Sequence, residues 1–176
     1  MTRDFAGRFN RIFNIDYFPE PSAYNFDNDL LKIPGLDGSG KMGKSEGNAI
    51  YLVEEPDAIR KKVMRAVTDS GPIAMNSEKP EAIQNLFTLM SVVSSPDTVA
   101  FFDDAYNNCN IRYGDMKKQL AEDIIKVTEP IRIRINEILA DKTYLSKVAS
   151  NGAEKARESA AKTVREVRKI IGYRPL

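Results

Sequence analysis

Two lysines, Lys41 and Lys44, lie three positions apart in a glycine-rich stretch, residues 38–45, that reads GSGKMGKS. By spelling, this stretch fits the phosphate-binding pattern of a glycine, four residues and then Gly-Lys-Ser. Two ammonium groups on a loop hinged by glycines can also neutralise the charge that develops when a phosphoryl group is transferred. Both interpretations predict that this segment binds phosphate, but they assign the binding to different atoms.

The neighbouring residues separate the two interpretations. A phosphate-binding P-loop needs a helix that begins at its Gly-Lys-Ser, because the N–H groups of that helix bind the phosphates. Here Ser45 is followed by Glu46-Gly47-Asn48 and then by a run typical of a short strand, residues 49–53. We therefore expect the two lysines to act on phosphate, and a P-loop NTPase is kept as the alternative.

The composition excludes several kinds of catalytic and metal-binding site. The chain of 176 residues has no histidine and one cysteine, Cys109. Histidine-based nucleophile activation, histidine-ligated metals and cysteine-based zinc clusters are therefore excluded, and no metal ligand is predicted. A net charge of +1 argues against a globally basic protein that coats nucleic acid, although a local basic face is possible.

Hydrophobic periodicity predicts a mainly α fold. The expected helices cover residues 3–14, 56–67, 80–94, one starting at Ser95-Pro96-Asp97, 114–140 with a kink about one turn before Pro130, and 143–171 ending at Gly172. Prolines and five glycines between residues 15 and 48 predict loop structure there.

The same patterns predict three regions. Residues 1–55 are expected to be the end of an α/β unit, residues 56–75 a connecting helix and loop, and residues 76–176 an all-helical bundle. No signal peptide is expected, and no apolar run approaches the ~20 residues that cross a bilayer. A cytoplasmic protein is therefore predicted.

The segment KMGKS, residues 41–45, resembles the KMSKS motif of class I aminoacyl-tRNA synthetases. Three further segments resemble the tryptophanyl branch of that family: TRDFAGRFNRIF, IRKKVMRAVTDS and GAEKARESAAKTVREVRKIIGY. The resemblance covers most of the chain and is weaker around residues 97–115. The tyrosyl branch is the near relative, but it commonly carries an additional small RNA-binding domain after the helices.

The resemblance implies a role for each residue of the loop. Lys41 and Lys44 would hold the ATP phosphates, with Mg²⁺ accompanying the ATP, and would stabilise the departing pyrophosphate. Met42, Gly43 and Ser45 would shape the loop and contact ATP. Gly43 departs from the serine common in the family, and its backbone N–H would serve instead. Ile33 would flank the adenine, or else be a core strand residue.

The resemblance also implies a part of a larger enzyme. The fold would be the C-terminal end of a Rossmann-type α/β catalytic domain followed by an all-helical anticodon-binding bundle. Without a histidine the chain cannot contain the family's HIGH motif, so we expect a C-terminal fragment that is inactive alone. When complete, the enzyme would be a homodimer that joins tryptophan to tRNA(Trp).

Four basic residues of the predicted helix 56–67 could face the tRNA, since backbone phosphates attract clustered cations. They are Arg60, Lys61, Lys62 and Arg65. An ordinary solvated helix face explains them equally well. Two further alternatives stay open for the whole chain: part of a tyrosyl-tRNA synthetase, and a stand-alone helical RNA-binding module without catalysis.

Overall fold

The structure is a computed structural model that describes residues 1–24 and 32–173. Within these residues it contains α-helices and no β-strand, which confirms the prediction of a mainly α fold. The described helices are α1 (Thr2–Phe13), α2 (Pro56–Met64), α3 (Glu81–Val93), α4 (Pro96–Asn107), α5 (Tyr113–Ala140) and α6 (Lys142–Ile170).

Local signals in the sequence set several helix ends where they were predicted. Pro56 occupies the start of α2, where its missing N–H has no cost. The Ser95 hydroxyl caps α4 by accepting a hydrogen bond from the Thr98 N–H at 3.2 Å. Gly172 follows α6 with a φ of 75°, the left-handed conformation that ends many helices. Short-range sequence patterns therefore located the described helices, although α2, predicted to reach residue 67, ends at Met64.

The strand predicted at residues 49–53 is wrong. Residues 49–51 are irregular, and a turn follows, closed by a hydrogen bond from the Glu54 N–H to the Tyr51 carbonyl at 3.0 Å. The Ala49 carbonyl accepts a hydrogen bond from the Lys62 ammonium at 2.9 Å. A β-type run forms a strand only beside another strand, and the described part of the chain offers none.

The described part of residues 29–140 forms one compact unit around a single hydrophobic core. In this unit α2 and α3 pack against α5, and α4 packs against α3. The core contains Leu36, Ile59, Val63, Ala66, Ile83, Leu86, Phe87, Leu89, Met90, Phe102, Tyr106, Met116, Leu120, Ala121, Ile124 and Ile125. Leu36 comes from the loop segment, so the lysine-bearing loop and the helices share this core.

Polar side chains reinforce the contact between α2 and α5. Arg60 donates two hydrogen bonds to the Glu122 carboxylate, at 2.7 and 3.0 Å, and a third to Asp57 at 2.9 Å. Lys117 is buried and donates to the Ala66 carbonyl at 2.7 Å. Burial lowers the pKa of Lys117, because the interior disfavours its charged form.

The described parts of residues 1–28 and 141–176 form the second compact unit. In its first segment, Phe9 contacts Phe13, Tyr17 and Phe18, and Asn10 ties down the chain by donating to the Phe18 carbonyl at 2.8 Å. Neither α1 nor α6 has a buried residue. None of the described helices is both long and apolar enough to span a membrane. The domain boundaries predicted after residues 55 and 75 stay predictions.

Replacing Leu120 with Ala is expected to lower the free energy of unfolding of the chain by about 2–5 kcal/mol, because Leu120 is fully buried and a cavity would remain. Urea unfolding followed by circular dichroism measures this loss. The control is Leu139→Ala, in the same helix at a side chain that is 58% exposed, with an expected change within about 0.5 kcal/mol. Equal losses in the two variants would contradict the assignment of the core.

Candidate phosphate-binding loop

The lysine loop, defined here as residues 35–48, is closed at its base by backbone hydrogen bonds. The Leu36 N–H donates to the Asn48 carbonyl at 3.2 Å, and the Gly35 N–H donates to the Ser39 carbonyl at 2.9 Å. The Leu36 carbonyl accepts from the Val67 N–H at 3.0 Å, just beyond α2. With its side chain in the core, Leu36 therefore fixes the start of the loop to the helical unit.

Helix α3 contacts the same base from a second side. The Asn85 side chain donates from Nδ2 to the Gly38 carbonyl at 3.0 Å and to the Ser39 carbonyl at 3.2 Å. Gly38 has a φ of 84°, and a Cβ there would lie 3.3 Å from the Ala82 Cβ. A glycine at this position allows both the left-handed turn and the close approach of α3.

At the tip of the loop, Met42 points inward and the lysines point outward. The Met42 N–H donates to the Ile33 carbonyl at 2.7 Å, and its side chain packs against the core. Lys41 and Lys44 are exposed, and neither ammonium has a hydrogen-bond or ion-pair partner among residues 1–24 and 32–173. The loop thus presents two uncommitted positive charges on an anchored backbone.

One buried amide, that of Asn48, holds this backbone from within. Asn48 is only 5% exposed. Its Oδ1 accepts from the Gly43 N–H at 2.8 Å, and its Nδ2 lies within hydrogen-bond distance of Asp37 Oδ1 (3.0 Å), Ser39 Oγ (2.8 Å) and the Lys41 carbonyl (3.2 Å). These bonds satisfy both polar ends of the amide, which burial requires.

Asp37 completes this cluster as its acceptor. It accepts hydrogen bonds from the Ser39 hydroxyl at 2.6 Å, from the Asn48 amide at 3.0 Å and from the Ser39 N–H at 3.0 Å. In that order of size, these bonds favour the ionised carboxylate and lower the pKa of Asp37 to about 2. Asp37 is therefore charged at neutral pH, and neutral hydrogen-bond donors rather than a cation stabilise that charge.

The loop does not have the P-loop geometry, and that alternative is wrong. Residues 44–47 form a turn rather than the first turn of a helix, and the next helix, α2, begins only at Pro56. The Ser45 hydroxyl donates to Glu46 Oε1 at 3.0 Å. The Gly43 N–H, expected to face a phosphate, is committed to Asn48 in this conformation. The ammonium groups of Lys41 and Lys44, by contrast, are not engaged by any of the described residues.

The four basic residues predicted to face tRNA divide into two pairs. Arg60 is engaged by Glu122 and Asp57, and Lys62 forms an ion pair with Glu54. Both therefore have structural partners within the chain. The side chains of Lys61 and Arg65 are exposed and without an ion-pair or hydrogen-bond partner in the described segments.

Near the lysines, one alternative from the sequence is wrong and three residues were missed. Ile33 is 37% exposed and lies in no strand, so it is not a core strand residue, and its place beside the adenine stays a prediction. Sequence reasoning missed Asp37, Ser39 and Asn48, although an aspartate, a serine and an asparagine among glycines are frequent makers of side-chain-to-backbone bonds. The described residues contain no group of three His, Cys, Asp or Glu side chains that could hold a metal ion.

Comparison with known proteins gives consistent matches. The model of the family described as tRNA synthetases class I (W and Y) matches residues 1–129. A tryptophan–tRNA ligase of Porphyromonas gingivalis is 60% identical over 174 residues, which make up 99% of this chain and 53% of that protein. A tryptophan–tRNA ligase of Clostridium longisporum is 34% identical over 173 residues, 98% of this chain and 51% of that protein.

Among solved structures, a tryptophanyl-tRNA synthetase of Campylobacter jejuni, complexed with ADP and tryptophan, superposes with a TM-score of 0.72 at 25% identity. The match covers 97% of this chain and 52% of that one. The chain therefore spans about half the length of the relatives that it matches.

Replacing Gly35 with Ala is expected to destabilise the chain by about 1–3 kcal/mol, because the new Cβ would lie 2.5 Å from polar atoms of Asp37, Ser39 and Asn48. Gly40→Ala is the matched control in the same loop, since nothing lies within 4 Å of a Cβ there. Urea unfolding of both variants measures the difference. If both alanines were tolerated equally, the packed polar cluster would be wrong.

Asp37→Asn is expected to remove part of the acid sensitivity of the chain. The pKa of Asp37 falls from 3.8 to about 2 on folding, so the ionised group stabilises the fold above about pH 4 and loses this contribution toward pH 2. The difference in unfolding free energy between the chain and the variant should therefore shrink as the pH falls through this window. Urea titrations at several pH values measure it, and a constant difference would contradict the prediction.

Proposed function

The chain belongs to the class I tRNA synthetases of the tryptophan and tyrosine type, and we propose that the complete protein is a tryptophan–tRNA ligase. It activates tryptophan with ATP and transfers it to tRNA(Trp). In the first step a tryptophan carboxylate oxygen attacks the α-phosphorus of ATP, the bond to the β-phosphate oxygen breaks, and pyrophosphate leaves. A ribose hydroxyl of the tRNA then takes the tryptophanyl group, and AMP is released.

One observation carries the proposal to this chain: Lys41 and Lys44 are exposed, unpaired in the described structure and three positions apart on an anchored loop. Charge accumulates on the leaving pyrophosphate as its bond to the α-phosphorus breaks. Two ammonium groups that are free of carboxylate partners can interact with that charge at full strength, since they need not first break an ion pair. Tryptophan is favoured over tyrosine as the amino acid because the similar curated relatives carry the name tryptophan–tRNA ligase.

The other residues of the loop have supporting roles in this proposal. Met42 anchors the tip of the loop by packing against the core, and Gly43 leaves room beside the backbone because it has no side chain. Ser45 and Ile33 border the nucleotide. Mg²⁺ would be carried by the ATP phosphates, and when bound it would supply further neutralisation of their charge. The chain's own contribution is the pair of lysines and the backbone that holds them.

The remaining parts of the protein fit the same proposal. Residues 1–55 would complete a Rossmann-type catalytic domain, and the helical region from residue 76 would bind the anticodon arm of the tRNA. On and just after α2, Lys61 and Arg65 are the candidates for contact with RNA phosphates, since Arg60 and Lys62 are engaged within the chain. A homodimer of the complete enzyme belongs to the proposal as well.

The test is ATP–pyrophosphate exchange by the full-length protein, with tryptophan and tyrosine compared. Exchange should depend on tryptophan, and Lys41→Gln or Lys44→Gln should each lower the exchange rate by about 100-fold or more, because each removes a charge that stabilises the transition state. Circular dichroism should show an unchanged fold, since both side chains are exposed.

Lys126→Gln is the matched control, because Lys126 is also exposed and lies on α5, outside the lysine loop. It should leave exchange unchanged. Exchange that depends on tyrosine alone would replace the proposed amino acid, and absence of exchange with either amino acid would reject a synthetase. Wild-type exchange in both lysine variants would reject the role of the loop.

A further inference from the structure

We propose that Asn48 is a positioning residue for the nucleotide-contacting lysines, with no contact of its own to the substrates. This inference rests on the proposed function, because it assigns a role within the same site. Asn48 lies outside the KMGKS segment and is buried, so neither the motif nor exposure points to it. Its proposed role follows from the hydrogen bonds that its side chain makes.

The Asn48 amide clamps the loop on both sides of Met42. Its Nδ2 reaches the carbonyl of Lys41 at 3.2 Å, and its Oδ1 accepts from the N–H of Gly43 at 2.8 Å. Lys41 is thus held by its own carbonyl, and Lys44 directly follows the held Gly43. Fixing these two backbone groups sets the points from which both lysine side chains start.

A second set of bonds fixes the clamp itself. The Asn48 Nδ2 also lies 3.0 Å from Asp37 Oδ1 and 2.8 Å from Ser39 Oγ, and Asp37 accepts two further hydrogen bonds from Ser39. The Asn48 carbonyl accepts from the Leu36 N–H at 3.2 Å. Since Leu36 lies in the core, the position of the amide is tied to the helical unit.

The chemistry of the clamp requires a carboxamide. One planar group must accept from an N–H at one end and donate to several acceptors at the other, and a carboxamide offers an acceptor oxygen together with two donor hydrogens. Aspartate would keep the size and the acceptor but lose both donor hydrogens, and it would place a second carboxylate beside Asp37. Alanine would remove every side-chain bond and leave the Gly43 N–H without its partner.

Positioning of this kind affects the reaction more than the binding of tryptophan. The lysines must lie where charge develops on the departing pyrophosphate, and a displacement of about 1 Å can cost a factor of about 100 in rate. A loosened clamp should therefore lower kcat and alter the KM for ATP, while the KM for tryptophan stays unchanged. A residue that only stabilised the fold would not produce this pattern.

The experiment uses the full-length enzyme with Asn48→Asp, Asn48→Ala and the double variant Asp37→Asn with Asn48→Asp. ATP–pyrophosphate exchange gives kcat and the KM values for ATP and tryptophan. Asn48→Asp is expected to lower kcat by about 10- to 100-fold. The double variant should recover part of that loss, because replacing the Asp37 carboxylate with a neutral amide removes the pair of adjacent carboxylates.

Leu120→Ala is the control for lost stability, since Leu120 is buried in α5 and lies outside the polar cluster of the loop. At a temperature where all variants are folded, it should keep kcat near the wild-type value. Amide hydrogen exchange at Gly43 should be faster in the Asn48→Ala variant and unchanged in Leu120→Ala, because only the former loses the bond from that N–H.

Wild-type kcat in both Asn48 variants would overturn the inference, as would an equal loss in Leu120→Ala or a double variant no better than Asn48→Asp. These results all presuppose a wild-type enzyme that performs tryptophan-dependent exchange. If the wild-type enzyme does not, the proposed function itself is rejected, and the hydrogen-exchange comparison alone still decides whether Asn48 holds the loop.

Discussion

The packing of α2 against α5 is the constraint on which the lysine loop and the helical unit both depend. Ile59 and Val63 on α2 are almost completely buried, and they share one core with the buried face of α5. The same short helix serves the loop, because the N–H of Val67 just beyond it bonds to Leu36 and the ammonium of Lys62 bonds to Ala49. A displacement of α2 would therefore reach the base of the loop on both sides.

The loop itself combines two opposite requirements. Under the proposed function its lysines must be free to meet a phosphate, and its backbone must not be free, because the reach of a lysine side chain is set by where its Cα lies. Met42 and Asn48 supply the restraint, one through apolar packing and one through hydrogen bonds, while the ammonium groups of Lys41 and Lys44 have no partners in the described residues. The burial of Asn48 is tolerable because its amide is satisfied at both ends.

The basic side chains on and just after α2 differ in whether they are already paired within the chain. Arg60 is held by two carboxylates, and its hydrogen bonds lower the pKa of Glu122. An arginine held in this way would have to give up these bonds before it could contact RNA. Lys61 and Arg65, one on α2 and one just after it, carry no such commitment in the described structure. The basic residues at positions 60–65 thus include cations that are paired within the chain and cations that are unpaired in the described structure.

The sequence by itself determined the helices, the family and the lysine pair. The helices follow from short-range signals: the Ser95 cap, Pro56 at a helix start and Gly172 after a helix end. The family follows from the KMGKS segment, whose family resemblance the comparisons confirm. Only the tertiary structure decided that residues 49–53 form no strand, that Lys62 is engaged, and that Asn48 is buried inside the loop. The physical reason is the sequence separation of the interacting residues. A cap or a turn depends on residues a few positions away, whereas burial and pairing depend on neighbours that the fold brings together from distant parts of the chain.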